Sequence, residues 1–219
     1  GFGEDLERIA AFNDAHALPS QGRAVIDVIE LVGGTAMEVD AALDQIPDEL
    51  FPFIEMPLTE DARGVLAVLA GAEAAAKIRT GGIRPELYPD SLDVAAFIHS
   101  AAAAGVPFKA TAGMHHPLPN DNPDIPARQH AFIGVFLAAA LAHGSDVDVD
   151  LLQQIIELDD PEAFVFEENS VRVAGIDMDR DQIEEARLSF AISYGSCSVD
   201  EPWEDLESIG WLDAVEATS

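Results

Sequence analysis

Apolar positions along the chain follow two alternating rhythms. Residues 4–16 (EDLERIAAFNDAH) carry Leu6, Ile9, Ala10 and Phe12 on one side of a helix. The run 24–31 (AVIDVIEL) is short and rich in β-branched residues, which predicts a strand, and Gly33-Gly34 leads into a helix over about 35–46. A second strand falls at 52–57 (PFIEMP), and Thr59, Glu60 and Asp61 supply a capping signal for a helix ending near 71. A third strand at 74–79 (AAAKIR) runs into Thr80-Gly81-Gly82. Ser91 and Asp93 open an Ala-rich helix that Gly105 should close as a C-cap.

The rhythm then repeats once more with an interruption. VPFKATAG predicts a strand at 106–112, a Pro- and Asn-rich loop occupies 117–126, and an apolar helix spans about 127–143. Within that helix AFIGVFLAAALA is hydrophobic nearly all round, so it must be buried on more than one side, in the core or at an oligomer interface. Residues 145–188 break the pattern and read as an insertion: a helix near 148–157, a hairpin across FVFEENSVRVAG and an acidic helix at 179–188. SFAISYG predicts the last strand, the loop SCSVDEP follows, and a terminal helix at 202–209 is anchored by Trp203 and Trp211.

Strands separated by helices of this length require crossover connections and hence a parallel sheet. The five strands share polar residues near their C-terminal ends: Glu30, Glu55, Lys77 with Arg79, Lys109 with Thr111, and Ser193 or Tyr194. In a closed parallel barrel that end is the mouth where catalytic groups collect. The expected fold is therefore α/β with a (β/α) barrel-type sheet in one domain over 1–219. Only five of a barrel's eight units are visible, so the barrel is incomplete, with further units upstream of Gly1, or the sheet is a smaller open one.

Charge narrows the function. Eleven Lys and Arg against 41 Asp and Glu give a net charge of −30, which repels nucleic acid and anionic lipid. No run approaches the roughly 18 apolar residues of a membrane span. No secretory leader is visible, and the lone Cys197 suits a reducing cytosol, so the expected location is cytoplasmic. The acidity and the scarcity of lysine suit a high-salt proteome. The expected partner is a small-molecule substrate, with a homo-oligomer compatible with the apolar helix, and no cofactor is indicated.

Lys77 and Lys109 are the only lysines. Lys77 and Arg79 lie two apart on a strand and share a face, and Lys109 has a comparable place one crossover later. Crowded cations with partial desolvation have lowered amine pKa values, and a neutral amine can form a Schiff base with a carbonyl. Glu30, Glu55 and Asp27 could shuttle protons, or could pair with the lysines and keep them charged. Both outcomes fit. Arg79 is the candidate for a substrate anion. Thr80-Gly81-Gly82, Thr111-Ala112-Gly113 and Gly195-Ser196 offer backbone donors that could cradle phosphate or carboxylate, and equally suit tight strand-to-helix turns.

His115 and His116 follow Gly113, so one of them should face the mouth as an acid, a base or a substrate donor. A metal would need Glu55, Glu30 or His130 as a third ligand, and no spaced His or Cys pattern supports one. Cys197 lacks a recognisable partner in the sequence.

The segments KIRTGG, VPFKATAGMHHPLP and FAISYGSCSVDEPWEDLESIG resemble those of a bacterial family of unknown function, over most of residues 4–212. More remotely, the order of motifs is similar to deoxyribose-phosphate aldolase, a class I aldolase barrel. Lys77 with Thr80-Gly81 matches its Schiff-base Lys-x-x-Thr-Gly setting, Lys109-Ala110 with Gly113 its second-lysine Lys-Ala-x-x-Gly setting, and Gly195-Ser196-Cys197-Ser198 loosely its phosphate loop. The resemblance implies lyase chemistry at Lys77 tuned by Lys109. The chain departs from that pattern in the long stretch after Lys109 and in His115-His116-Pro117, and the acidic proton shuttle has no matching position.

Overall fold

The computed structural model describes residues 1–18, 20, 22, 24–58, 62–122 and 124–212. The capping signal at Thr59, Glu60 and Asp61 lies outside them. The core is a five-stranded sheet of β1 (Val28–Val32), β2 (Phe51–Met56), β3 (Ala75–Arg79), β4 (Phe108–Thr111) and, last in the chain, β10 (Ala191–Gly195). All four pairings are parallel, and the spatial order β1-β2-β3-β4-β10 is the order along the chain. These are the five strands the sequence predicts. β1 and β10 are edges and do not pair with each other among the described residues, so the sheet stays open and no barrel closes.

Helices join the strands: α1 (Phe2–His16) precedes β1, α2 (Ala36–Leu43) and α3 (Arg63–Leu69) follow β1 and β2, and α4 (Ser91–Ala104) precedes β4. Thr35 starts α2 with a capping box, its hydroxyl accepting from the Glu38 amide while the Glu38 carboxylate accepts from the Thr35 amide. Gly105 closes α4 in the left-handed conformation, at φ 67°. α1 differs from expectation in its inner stripe. Phe2, Leu6, Ile9 and Asn13 are half-buried while Ala10 and Phe12 are exposed, because the Asn13 side chain holds the backbone of Ile26 through two 2.8 Å hydrogen bonds.

Between β4 and β10 the chain makes a long excursion. The Pro- and Asn-rich loop contributes β5 (Asn120–Asp121) to a two-stranded ladder with β6 (Arg128–Gln129), which takes the place of the first turn expected of the apolar helix, so that α5 starts only at Phe132 and runs to Gly144. After α6 (Val149–Glu157) the predicted hairpin gains a third strand, so β7 (Phe164–Phe166), β8 (Ser170–Val173) and β9 (Ile176–Asp179) form an antiparallel meander. Then come α7 (Arg180–Ser189), β10 and α8 (Asp200–Ser208). α5 packs against α4, α6 and α7, which explains a helix apolar on every side.

Alternation along the strands sorts the side chains onto two faces. Ile54, Met56, Ala76, Ile78, Phe108 and Ala110 join Val94, Phe97, Ile98 and Ala101 of α4 in one buried cluster. The opposite face carries nearly all the polar residues singled out on the strands.

Candidate functional site

Parallel register stacks the polar face into rows. Glu30, Phe53 and Ala75 are partners in the lowest row. Val32, Glu55, Lys77, Lys109 and Ser193 form the next, and Arg79, Thr111 and Gly195 the uppermost, towards the C-terminal ends. Each βα unit thus delivers one or two chemically active side chains to the same surface.

Those side chains meet. Lys77 Nζ lies 2.5 Å from Glu30 Oε2 and 2.8 Å from Glu55 Oε2, and the Lys109 ammonium donates to the other oxygen of Glu30. Arg79 grips Glu55 with two nitrogens, Nε at 3.2 Å and Nη2 at 3.3 Å. The result is a continuous chain, Lys109–Glu30–Lys77–Glu55–Arg79. Beneath it Phe53 is buried, with Lys109 Nζ 4.7 Å from its ring centroid and Phe51 edge-on at 5.3 Å.

The electrostatics resolve the two outcomes that the letters leave open. Burial disfavours the Lys77 ammonium, but hydrogen bonds and charge from Glu30 and Glu55 outweigh it and raise its pKa above the ordinary lysine value. The neutral resting amine expected from cation crowding is therefore not found at Lys77. Burial likewise opposes ionisation of Glu30 and Glu55. Lys109 and Lys77 at Glu30, and Lys77 and Arg79 at Glu55, reverse that and hold both carboxyls below their usual range.

The glycine loops above the network are packed against each other. Thr80 is fully buried and its hydroxyl donates to the Ala112 carbonyl at 2.6 Å. A Cβ on Gly81 would sit 2.9 Å from Gly113 Cα, and Gly113 itself has φ 76°. Tyr88 donates its hydroxyl to the Gly82 carbonyl, and Thr111 its own to that of Ile78. This contact sets the spacing of β3 and β4 just above the two lysines. Gly81→Ala should therefore lower stability by about 1–3 kcal/mol and disturb the Lys77–Glu30–Lys109 bridge. Thermal unfolding together with lysine Nζ NMR shifts reads both effects, and an unchanged spectrum would show that the loops can part freely.

His115, His116 and Ser196 belong to a neighbouring group. The Ser196 hydroxyl donates to the Ser198 carbonyl at 2.8 Å, so His115 Nδ1, 3.0 Å from Ser196 Oγ and 3.3 Å from Glu201 Oε2, is placed as the donor to those oxygens. Nε2 is left as an acceptor 3.6 Å from the exposed Cys197 thiol. The partner of Cys197 thus stands 82 residues away in the chain, a distance no local motif can signal. His116 Nδ1 donates to Asp205 at 2.5 Å, which ties the β4 loop to α8.

His130 lies elsewhere. It is buried, donating Nε2–H to the Pro89 carbonyl at 2.7 Å, and burial lowers its pKa against the pull of that hydrogen bond and of Asp90 and Glu157. Asp27 lies before β1 and lines a cavity at the opposite end of the strands, away from the network. Among the described residues no three His, Cys, Asp or Glu side chains are gathered so as to hold a metal ion. No helix is long and apolar enough to cross a membrane, again among the described residues. None of the five network side chains lines the cavities of about 850, 600 and 540 Å³: the first reaches the network's row at Ser193, the second is lined by His130 among others, and the third by Asp27 and Phe53. No family model, curated protein or solved structure matches the chain.

Proposed function

We propose that the polar face of the sheet binds a small metabolite carrying an anionic group and a carbonyl. One observation carries this reading: three cations meet two carboxylates there, 3 − 2 = +1, in a chain of net charge −30. Small anions are repelled by most of such a surface and find convergent donors on this one. Arg79, with 44 % of its side chain exposed, is the most accessible of the three and the natural partner of a carboxylate or phosphate. In the resting state Lys77 is an ammonium, suited to polarising a carbonyl oxygen by hydrogen bonding. Without further chemistry the protein is a binder of such acids.

Schiff-base catalysis is a second reading, favoured by the way Glu30 bridges both lysine ammoniums. An incoming anion that draws Arg79 and Lys109 off the carboxylates makes Glu30 and Glu55 more basic, and so better acceptors of the Lys77 proton. Lys77 then passes that proton to Glu30, its free amine forms an N–C bond with the carbonyl carbon, and the carbonyl oxygen takes one proton from that nitrogen and the other back from Glu30 and leaves as water, giving an iminium. The resemblance to deoxyribose-phosphate aldolase at Lys77 and Lys109 points the same way.

Thermal stabilisation by pyruvate, glyoxylate and glyceraldehyde 3-phosphate, against glycerol at fixed ionic strength, tests the binding. The acids should raise the unfolding temperature of the wild type and not of an R79Q/K109Q double variant; equal responses, or none, would refute the site. Borohydride reduction read by intact mass separates the two readings. An adduct lost in K77A and kept in K109Q shows amine catalysis, and binding without an adduct leaves a non-catalytic receptor.

A further inference from the structure

The 850 Å³ cavity lies along the outer edge of β10, between α5, α7 and the meander. Its volume is within the range of small-molecule sites. Phe132 and Phe136 of α5 line it with Tyr194, whose ring stacks on Phe132 at 5.5 Å and 16° and meets Phe136 at 62°. The α7 wall supplies Arg180 and Arg187, seven residues and two helical turns apart and therefore on one face.

Most of the described cations are paired with carboxylates, whereas Arg84 and these two arginines are not, among the described residues. Arg8, Lys77, Arg79, Lys109, Arg128 and Arg172 are each bonded to a carboxylate. Arg180 and Arg187 line the cavity with no ion pair among the described residues, although Glu167, Glu168 and Glu184 share its walls. An aromatic floor beside guanidinium groups that are bonded to no carboxylate among the described residues suits a molecule with an apolar body and one anionic head.

We propose that this cavity binds an amphipathic carboxylate, with its hydrocarbon body on Phe132, Phe136 and Tyr194 and its head on Arg187 or Arg180. The site is separate from the cation network and does not depend on the function proposed above. The apolar body supplies burial, and the bidentate guanidinium selects carboxylate over alcohol or amine.

Calorimetric titration of the intact protein with decanoate, below its micelle concentration and at fixed ionic strength, tests this. Decanoate should bind with one-to-one stoichiometry, and decanol and decylammonium at least about tenfold more weakly. R180Q/R187Q, two exposed substitutions, should cost a similar factor, as should F136A, while K109Q should leave the affinity unchanged. Absence of decanoate binding overturns the proposal. So does binding that survives R180Q/R187Q, or binding that K109Q abolishes, which would place the carboxylate on the open face of the sheet.

Discussion

Replacing Lys77 with methionine should lower the unfolding free energy at pH 7 by about 2–3 kcal/mol, somewhat less than the loss of one partner from a fully buried ion pair. Lys77 keeps only 10 % of its side chain exposed, and its removal leaves Glu30 and Glu55 facing each other without the cation between them. The cost is moderated because 40 % of the Glu30 side chain reaches water and Lys109 and Arg79 remain. In a chain of this length the unfolding temperature should fall by roughly 5–10 °C.

The pH dependence identifies the cause. Glu30 and Glu55 have lowered pKa values in the folded state, so their contribution is fully present above about 4.5 and is lost as the pH falls through the folded values. Lys77 has a raised value, so its contribution is fully present below about 10.5 and is lost as the pH rises through the folded value. The deficit of K77M relative to the wild type should therefore be constant between these limits and shrink on either side. Relief of the general repulsion among 41 carboxyl groups at low pH affects both proteins alike and cancels in the difference. Urea unfolding at pH 7 and at pH 4 measures it; an equal deficit at both would mean that lost packing, not charge, explains the change.

Phe108→Ala should be the most damaging single change, at about 3–5 kcal/mol. The residue has no exposed surface and lies edge-on to Phe97 at 5.4 Å and to Phe190 at 5.2 Å. It also starts β4, with Ala76 as its register partner on one side and Ala191 on the other, so the cavity would open at the seam between the first four strands and the last. Phe108→Leu keeps most of the volume and should cost less than about 2 kcal/mol. Chemical denaturation of the two variants decides the matter, and similar losses would show that the ring contacts contribute little.

The sheet was legible because its strands are short apolar runs bounded by Gly, Pro and helix caps, a signal that needs no tertiary context. The third strand of the meander was not: IDMD has two apolar residues in four and is a strand because Val171 and Val173 provide its partners. Asn120–Asp121 and Arg128–Gln129 likewise carry no strand signal of their own. At the site, period-two spacing correctly put Lys77 and Arg79 on one face, and the shared position of Lys109 followed from its place one crossover later. Whether the carboxylates would neutralise the lysines or leave them crowded depended on Glu30 lying one row below Lys77 and reaching both amines. That is a matter of register between strands 47 and 79 residues apart, which composition and spacing do not encode.

The order of the strands has a consequence for how the molecule is made. β2, β3 and β4 each lie beside the strand synthesised just before, whereas β10 reaches β4 only after residues 112–190 have been laid down. Closing so long a span is the slow, entropically costly part of assembly. During synthesis every member of the ammonium–carboxylate chain has been added before the excursion begins, and the last strand arrives as a late clasp that brings Ser193 and Cys197 to the finished sheet.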